Sequence, residues 1–259
     1  MIYTIPNNNV SLMELTINYI DSVNDIYTDF IKESYEYSLN EEVKQLESPV
    51  GIKEKIIRAA KSIWEKITNF FKEIGKRIMS VVTSIKDLTV DRDIAKAEKE
   101  GKPVPEFEYY NQDSFDITEK AAQDVYSSID GISGLKVFAK TELYTNIHDR
   151  LLAASEKVRF NGNSWRDIKK CFPSSNKKTV TSISRWNDKI SKVAKNKIRL
   201  LEEIGEEDKD LSENVKDFTT YAKEIMKLGQ MIANGATTML KDNNETCVRI
   251  LGSLKEKEA

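Results

Sequence analysis

His148 is the single histidine in a chain of 259 residues, and a lone imidazole narrows the chemistry at once. Zinc sites built on two histidines, the paired Glu-x-x-His of di-iron bundles and histidine-rich metal cages are all excluded. A triad needs one histidine only, but neither a GxSxG elbow nor a family cysteine signature accompanies His148, which therefore reads as structural. Ser133/Lys136 and Ser175/Lys178 both have the Ser-x-x-Lys spacing that sets an amine one helical turn from a hydroxyl. The Ser-Asp-Asn and Lys-Thr-Gly elements that complete such a site are missing, and among 40 lysines and arginines chance matches are expected. No GxxxxGK[ST] loop is present to cradle phosphates, and no GxGxxG follows a strand. Cys171 and Cys247 stand apart without CxxC spacing, which argues against zinc or redox work and fits a reducing compartment. The many acids read as solvated helix faces, since no pocket marks out a pair. The expectation is a non-enzyme with no catalytic residues, no metal and no cofactor.

The elements that would position any site are helical. Ten glycines and five prolines are too few for a chain of tight β-turns, and 39% hydrophobic with 32% charged residues describes a folded chain. Ser11 caps a first helix whose Leu12, Leu15, Tyr19, Val23, Ile26 and Phe30 share one face, running to about Leu46 before Ser48-Pro49 breaks it. A second stripe, from Ile52 through Ile56, Ala60, Ile63, Ile67, Phe70, Ile74, Ile78, Val81 and Ile85 to Leu88, predicts a long amphipathic helix. Gly75 inside it marks a close contact or a bend. Gly101-Lys102-Pro103-Val104-Pro105 and the following EFEYYNQDSFD read as a linker over 101–116. Ser114 or Asp116 then caps a helix to about Arg159, interrupted near Gly131 and Gly134. A short helix over 165–171, a loop at Pro173–Asn176, a helix over about 179–204 and a last one from Asp210 or Leu211 complete the reading. No stretch alternates strongly enough to demand a strand. The expected fold is all-α, an elongated multi-helix bundle: an N-terminal helical hairpin over 1–100, the 101–116 linker and a C-terminal helical bundle over 117–259.

Net charge is only −2, but it is segregated along the chain. Residues 1–50 carry nine acids and two bases, residues 53–86 nine bases and three acids, residues 87–130 twelve acids and five bases, and residues 165–199 eleven bases and two acids. An acidic helix followed across a short break by a basic one suits an antiparallel hairpin. Read as an interaction helix, the same stretch has Ile63, Trp64, Ile67, Phe70, Phe71, Ile74 and Ile78 to bury against a partner helix. The same basic amphipathic pattern over 52–88 is also that of helices lying on anionic membranes. In 165–199, Trp165, Phe172 and Trp186 are interleaved with bases, so Lys169, Lys170, Lys177, Lys178 and Arg185 are candidate nucleic-acid contacts, with phosphates neutralised and bases stacked on the rings. The alternative there is a solvated or internally paired face. The first ten residues lack the pattern of a secretory signal, and LGQMIANGATTML at 228–240 is too short to span a bilayer.

ESYEYSLNEEVKQLESP followed by KEKIIRAAKSIWEKITNFFKEIGKRI resembles helical internal-head and structural virion proteins of large tailed bacteriophages, over roughly residues 30–90. The resemblance implies a non-enzymatic structural or assembly protein, packaged in or lining the head, found in the virion or in the host cytoplasm during assembly and not secreted. Its implied partners are other virion proteins or further copies of itself in a homo-oligomer, and DNA. The rival expectations are a membrane-active ejection or pore-forming protein with transient membrane contact through 52–88, and a nucleic-acid-binding accessory protein.

Overall fold

The apolar stripe that begins at Ile52 coils into one continuous helix, α1 (Ile52–Ser84). The computed structural model describes residues 52–85, 91–132, 141–171, 173–201 and 211–255. The acidic helix expected over 11–46, and with it the first arm of the expected hairpin, lies outside these. After α1 come α2 (Asp91–Lys99), strand β1 (Glu108–Tyr109), α3 (Gln112–Asp130), α4 (Thr141–Ala154), strand β2 (Val158–Arg159), α5 (Trp165–Ile168) with a 3-10 turn at Lys169–Cys171, α6 (Pro173–Leu200) and α7 (Leu211–Lys255). The class is all-α: the helices form a bundle, and the two strands pair in one small antiparallel sheet with Glu108 opposite Arg159.

Local chemistry explains where the elements start. Asn111 caps α3, its side-chain oxygen accepting from the Ser114 backbone N–H at 3.1 Å. The helix thus begins inside the expected linker, and Ser114, expected as the cap, is buried one turn in. The loop expected at Pro173–Asn176 is instead the first turn of α6. Proline at the first helical position loses nothing, because the N–H it lacks has no intrahelical acceptor there. The helix expected to about Arg159 with an interruption near Gly131 and Gly134 is α3, ending at Asp130, and α4, which stops at Ala154, with β2 in place of its last turn. Val158 and Arg159 take strand geometry because the 101–111 segment lies beside them and offers a backbone to pair with, and Phe160 N–H donates to Phe107 O at 2.9 Å.

Hydrogen bonds between helices fix their relative directions. Ser184 donates to Gly75 O at 2.9 Å, Ser191 to Thr68 O at 3.0 Å, and Lys177 Nζ to Ile85 O, so α6 runs antiparallel to α1. On its other flank α6 runs parallel to α3, where Gln112 donates to Thr179 at 2.9 Å and Lys197 Nζ donates to the Asp130 and Ile132 carbonyls. Between these packs α7, parallel to α1, with the Trp64 and Phe218 rings 4.8 Å apart. α4 covers α3 and α7, tied by Arg150 to Asp124. α1 passes unbroken through Gly75, so that glycine marks a close approach: a Cβ there would sit 3.3 Å from Asp188 Oδ1 and 3.5 Å from Ser184 O. Gly229 on α7 is tighter still, a Cβ there meeting Phe71 Cε1 at 2.6 Å.

A second, smaller core closes one end of the bundle. Ile94, Phe107, Trp165, Ile168, Ile250 and Leu254 meet there. The irregular 101–111 segment is strapped to α7 by Asn243, which accepts from Tyr110 N–H at 2.8 Å and donates to Tyr110 O at 2.7 Å. Trp165 Nε1 donates to Lys102 O at 2.8 Å. Gly101, at φ 63°, makes the left-handed turn out of α2 that aims this strap back along the bundle.

Two measurements test this packing. Gly229→Ala lowers stability in urea unfolding by about 1–3 kcal/mol because it overpacks the Phe71 ring. Gly235→Ala lies further along α7, where an added Cβ meets nothing within 4 Å. That substitution is neutral or stabilising by up to about 1 kcal/mol. Equal effects at both positions would contradict the close approach. At alkaline pH, burial and then the neighbouring Cys171 push Tyr109 up to about 12 from 10.0, and burial raises Tyr221 as well. A phenol raised on folding contributes its stabilisation fully below the unfolded value and loses it as pH rises through the folded one. Stability is therefore level near neutrality and falls between about pH 10 and 12, less steeply in Tyr221→Phe.

Candidate functional site

The seven apolar residues singled out on α1 are all buried, and they are buried inside this chain. Ile63, Trp64, Ile67, Phe70, Phe71, Ile74 and Ile78 belong to the main core, with α6 and α7 against them. Each such side chain contributes roughly 1.5–3 kcal/mol to folding. Trp64 Nε1 is enclosed with no hydrogen-bond partner among the described residues.

The five candidate basic contacts separate into two groups. Lys169 is exposed and pairs with Asp91 at the surface, and Lys177 is half-buried and held on the Ile85 carbonyl, so both have partners within the chain. Lys170 lies in the 3-10 turn beside Lys169. Lys178 and Arg185 are exposed on α6. They are joined there by four bases from outside the candidate set: Lys189, Lys192, Lys195 and Arg199. From Asn176 to Arg199 the exposed residues of α6 are these six bases, Asp188 and Asn196. The spacing of the bases confines them to an arc of about 120° and a line about 32 Å long.

This ridge exists because the two flanks of α6 are already occupied. Val180, Ile183, Ile190 and Ala194 are buried, and Ser184 and Ser191 reach α1 while Ser182, Trp186 and Lys197 reach α3. What remains faces solvent. None of the six bases makes an ion pair among the described residues, whereas Lys76, Lys120, Lys157 and Arg159 on neighbouring elements each have a carboxylate partner. Lys189 alone has a local contact, its Nζ lying 3.7 Å from the Trp186 ring centroid. The signal that would have found the ridge in sequence is the recurrence of Arg185, Lys189, Lys192, Lys195 and Arg199 at three- and four-residue steps, once the helix was known to start at Pro173.

Among the described residues weighed for catalysis, His148 stands apart from the two cysteines. His148 stacks on Tyr144 at the surface, with Nδ1 3.2 Å from Asp149 Oδ1. Ser133 and Lys136 lie outside the described residues. Cys171 and Cys247 adjoin in the small core, Cys247 Sγ lying 3.6 Å from the Cys171 carbonyl, and burial pushes the Cys247 thiol up. Trp165, expected as a stacking platform, is buried in that core, and Phe172 lies outside the described residues. No cluster of three or more His, Cys, Asp or Glu side chains suited to a metal occurs among the described residues, and no helix there is long and apolar enough to cross a membrane.

What fold and surface define together is an all-α bundle with a basic ridge. Comparison with family models, with curated proteins and with solved structures returned no match.

The buried thiols give a direct check. A thiol-specific reagent at about pH 8 leaves both cysteines unmodified in the folded chain and labels both in denaturant. Rapid labelling under native conditions would mean that the small core opens.

Proposed function

We propose that this chain is a non-enzymatic structural and assembly protein of a bacteriophage virion, packaged in or lining the head, and that the exposed ridge of α6 is the surface by which it holds a polyanion there. The observation that carries the binding half is the ridge itself: six bases on one face, one acid among them, and no ion pair to any described residue. Exposed lysines and arginines in a row gain by releasing the counterions condensed on a polyanion. The virion half is supported by the resemblance of residues 30–90 to internal-head proteins. Partners on this reading are other virion proteins or further copies of the chain, present many times in one particle.

The membrane-active alternative draws its appeal from the apolar face of α1. That face is spent on the chain's own core, so insertion into a bilayer requires the bundle to open and to forfeit the burial of seven large side chains. No observation on the bundle favours that route.

Two independent tests address the two halves. Heparin and nucleic acid bind with an affinity that falls with salt, with a log–log slope on duplex DNA of about −4.5 to −5.5 for five or six neutralised phosphates. Lys189→Glu with Lys192→Glu weakens binding sharply and flattens that slope, while Asp188→Asn strengthens binding; an unchanged slope in the double variant refutes the ridge. Mass spectrometry of purified particles finds the chain in many copies and protected from external protease until the head is opened. Its absence from particles refutes the virion setting and leaves the ridge untouched.

A further inference from the structure

Resting on the polyanion reading above, we infer that the ridge of α6 binds the sugar-phosphate backbone of double-stranded nucleic acid and does not read or stack on bases. Three observations lead there. The first is the state of the aromatic rings. Proteins that hold single strands pair a basic groove with exposed rings on which successive bases stack. Trp186 is the one ring set among the ridge bases, and its surfaces are engaged: Lys189 Nζ covers it at 3.7 Å, Tyr126 packs against it at 5.3 Å between centroids, and its Nε1 donates to Glu119 Oε1 at 3.3 Å. Trp165 is withdrawn into the small core, its Nε1 bonded to the Lys102 carbonyl. Among the described residues no ring is left on the ridge for a base to stack on.

The second observation is shape. The six bases stand on the outward face of a continuous helix from Pro173 to Leu200. A straight, convex ridge about 32 Å long is close to one turn of a duplex, and a duplex stays straight over many such lengths. A flexible single strand gains little from a convex support, because it must give up its own freedom to follow a line that does not enclose it.

The third is composition. Between Asn176 and Arg199 the exposed side chains are four lysines, two arginines, Asp188 and Asn196. Four of these six bases are point-like ammonium groups, suited to phosphates. The arginines, Arg185 and Arg199, stand about 21 Å apart along the helix axis, too far to read neighbouring base pairs together. Base readout needs several planar or amide side chains converging on adjacent base edges. The arrangement therefore distributes charge along a backbone and carries no code.

The test is fluorescence anisotropy of the full chain at low salt with five probes: two DNA duplexes of about 20 base pairs and unrelated sequence, an RNA duplex of the same length, a single strand and heparin. Expected is binding of the two DNA duplexes within about threefold of each other, and at least about tenfold tighter than the single strand. Trp186→Leu, with its helix content verified by circular dichroism, keeps duplex affinity within about twofold. A stacking mode would instead lose on the order of tenfold or more. Single-strand binding equal to or tighter than duplex binding overturns the inference, as does about tenfold discrimination between the two DNA sequences or a large loss in folded Trp186→Leu. Binding of heparin without any duplex also overturns it, while leaving polyanion binding in place. Failure to bind any of the five probes refutes the parent reading. Binding of either duplex type more tightly than the single strand and without sequence discrimination sustains the inference, and the tighter of DNA and RNA names the source of the backbone.

Discussion

The contact on which the rest of this molecule depends is the burial of α1 between α6 and α7. Seven large apolar residues of α1 go into the core in one continuous stripe, and two glycines let the neighbours come close enough to receive them. Gly229 leaves room for the Phe71 ring, and Gly75 lets the backbones of α1 and α6 approach until Ser184 can donate to a main-chain carbonyl. Helix packing at this closeness is enforced by dense contact on both sides, so a single added methyl is felt. Once α1 is seated, the direction and rotation of α6 are no longer free.

That constraint is what turns a basic segment into a basic ridge. α6 is gripped by α1 on one flank and by α3 on the other, through buried apolar residues and through hydrogen bonds from Ser184 and Ser191 to α1 and from Ser182 and Trp186 to α3. The bases fall on the arc that neither neighbour covers. Two bases of the same run are used internally: Lys177, at the α1 edge of the arc, and Lys197, beyond its α3 edge, bond carbonyls at the ends of α1 and α3. Lys177 shares its angle around the helix with exposed Lys195, so what divides structural from exposed bases is angle together with the reach of a carbonyl at the end of a neighbouring helix.

The small core at one end of the bundle has a different logic. Its irregular 101–111 strap has no helix to satisfy its backbone, so the polar groups are met one by one: Asn243 takes both the N–H and the carbonyl of Tyr110, Trp165 takes the Lys102 carbonyl, and β2 pairs with β1. Buried backbone must be paired somewhere, and here long-range side chains supply what local secondary structure does not.

Much of this was legible in the residues taken in order. The helical class, the stripe of α1 and the concentration of bases in 165–199 follow from composition and three- and four-residue periodicity, which depend on local geometry alone. Even so, Asn111 rather than Ser114 caps α3, Pro173 opens a helix where a loop was expected, and Val158 and Arg159 form a strand. The strand turns on a neighbour distant in the chain, the start of α3 on a cap one turn earlier, and the start of α6 on a proline that suits the first helical position. The helical class and the apolar face of α1 follow from the order of residues alone, because both are properties of consecutive positions. Which elements cover that face, and which of the eleven bases in 165–199 stay open to solvent, depend on the packed fold, since exposure is set by what lies alongside a helix and not by the helix itself.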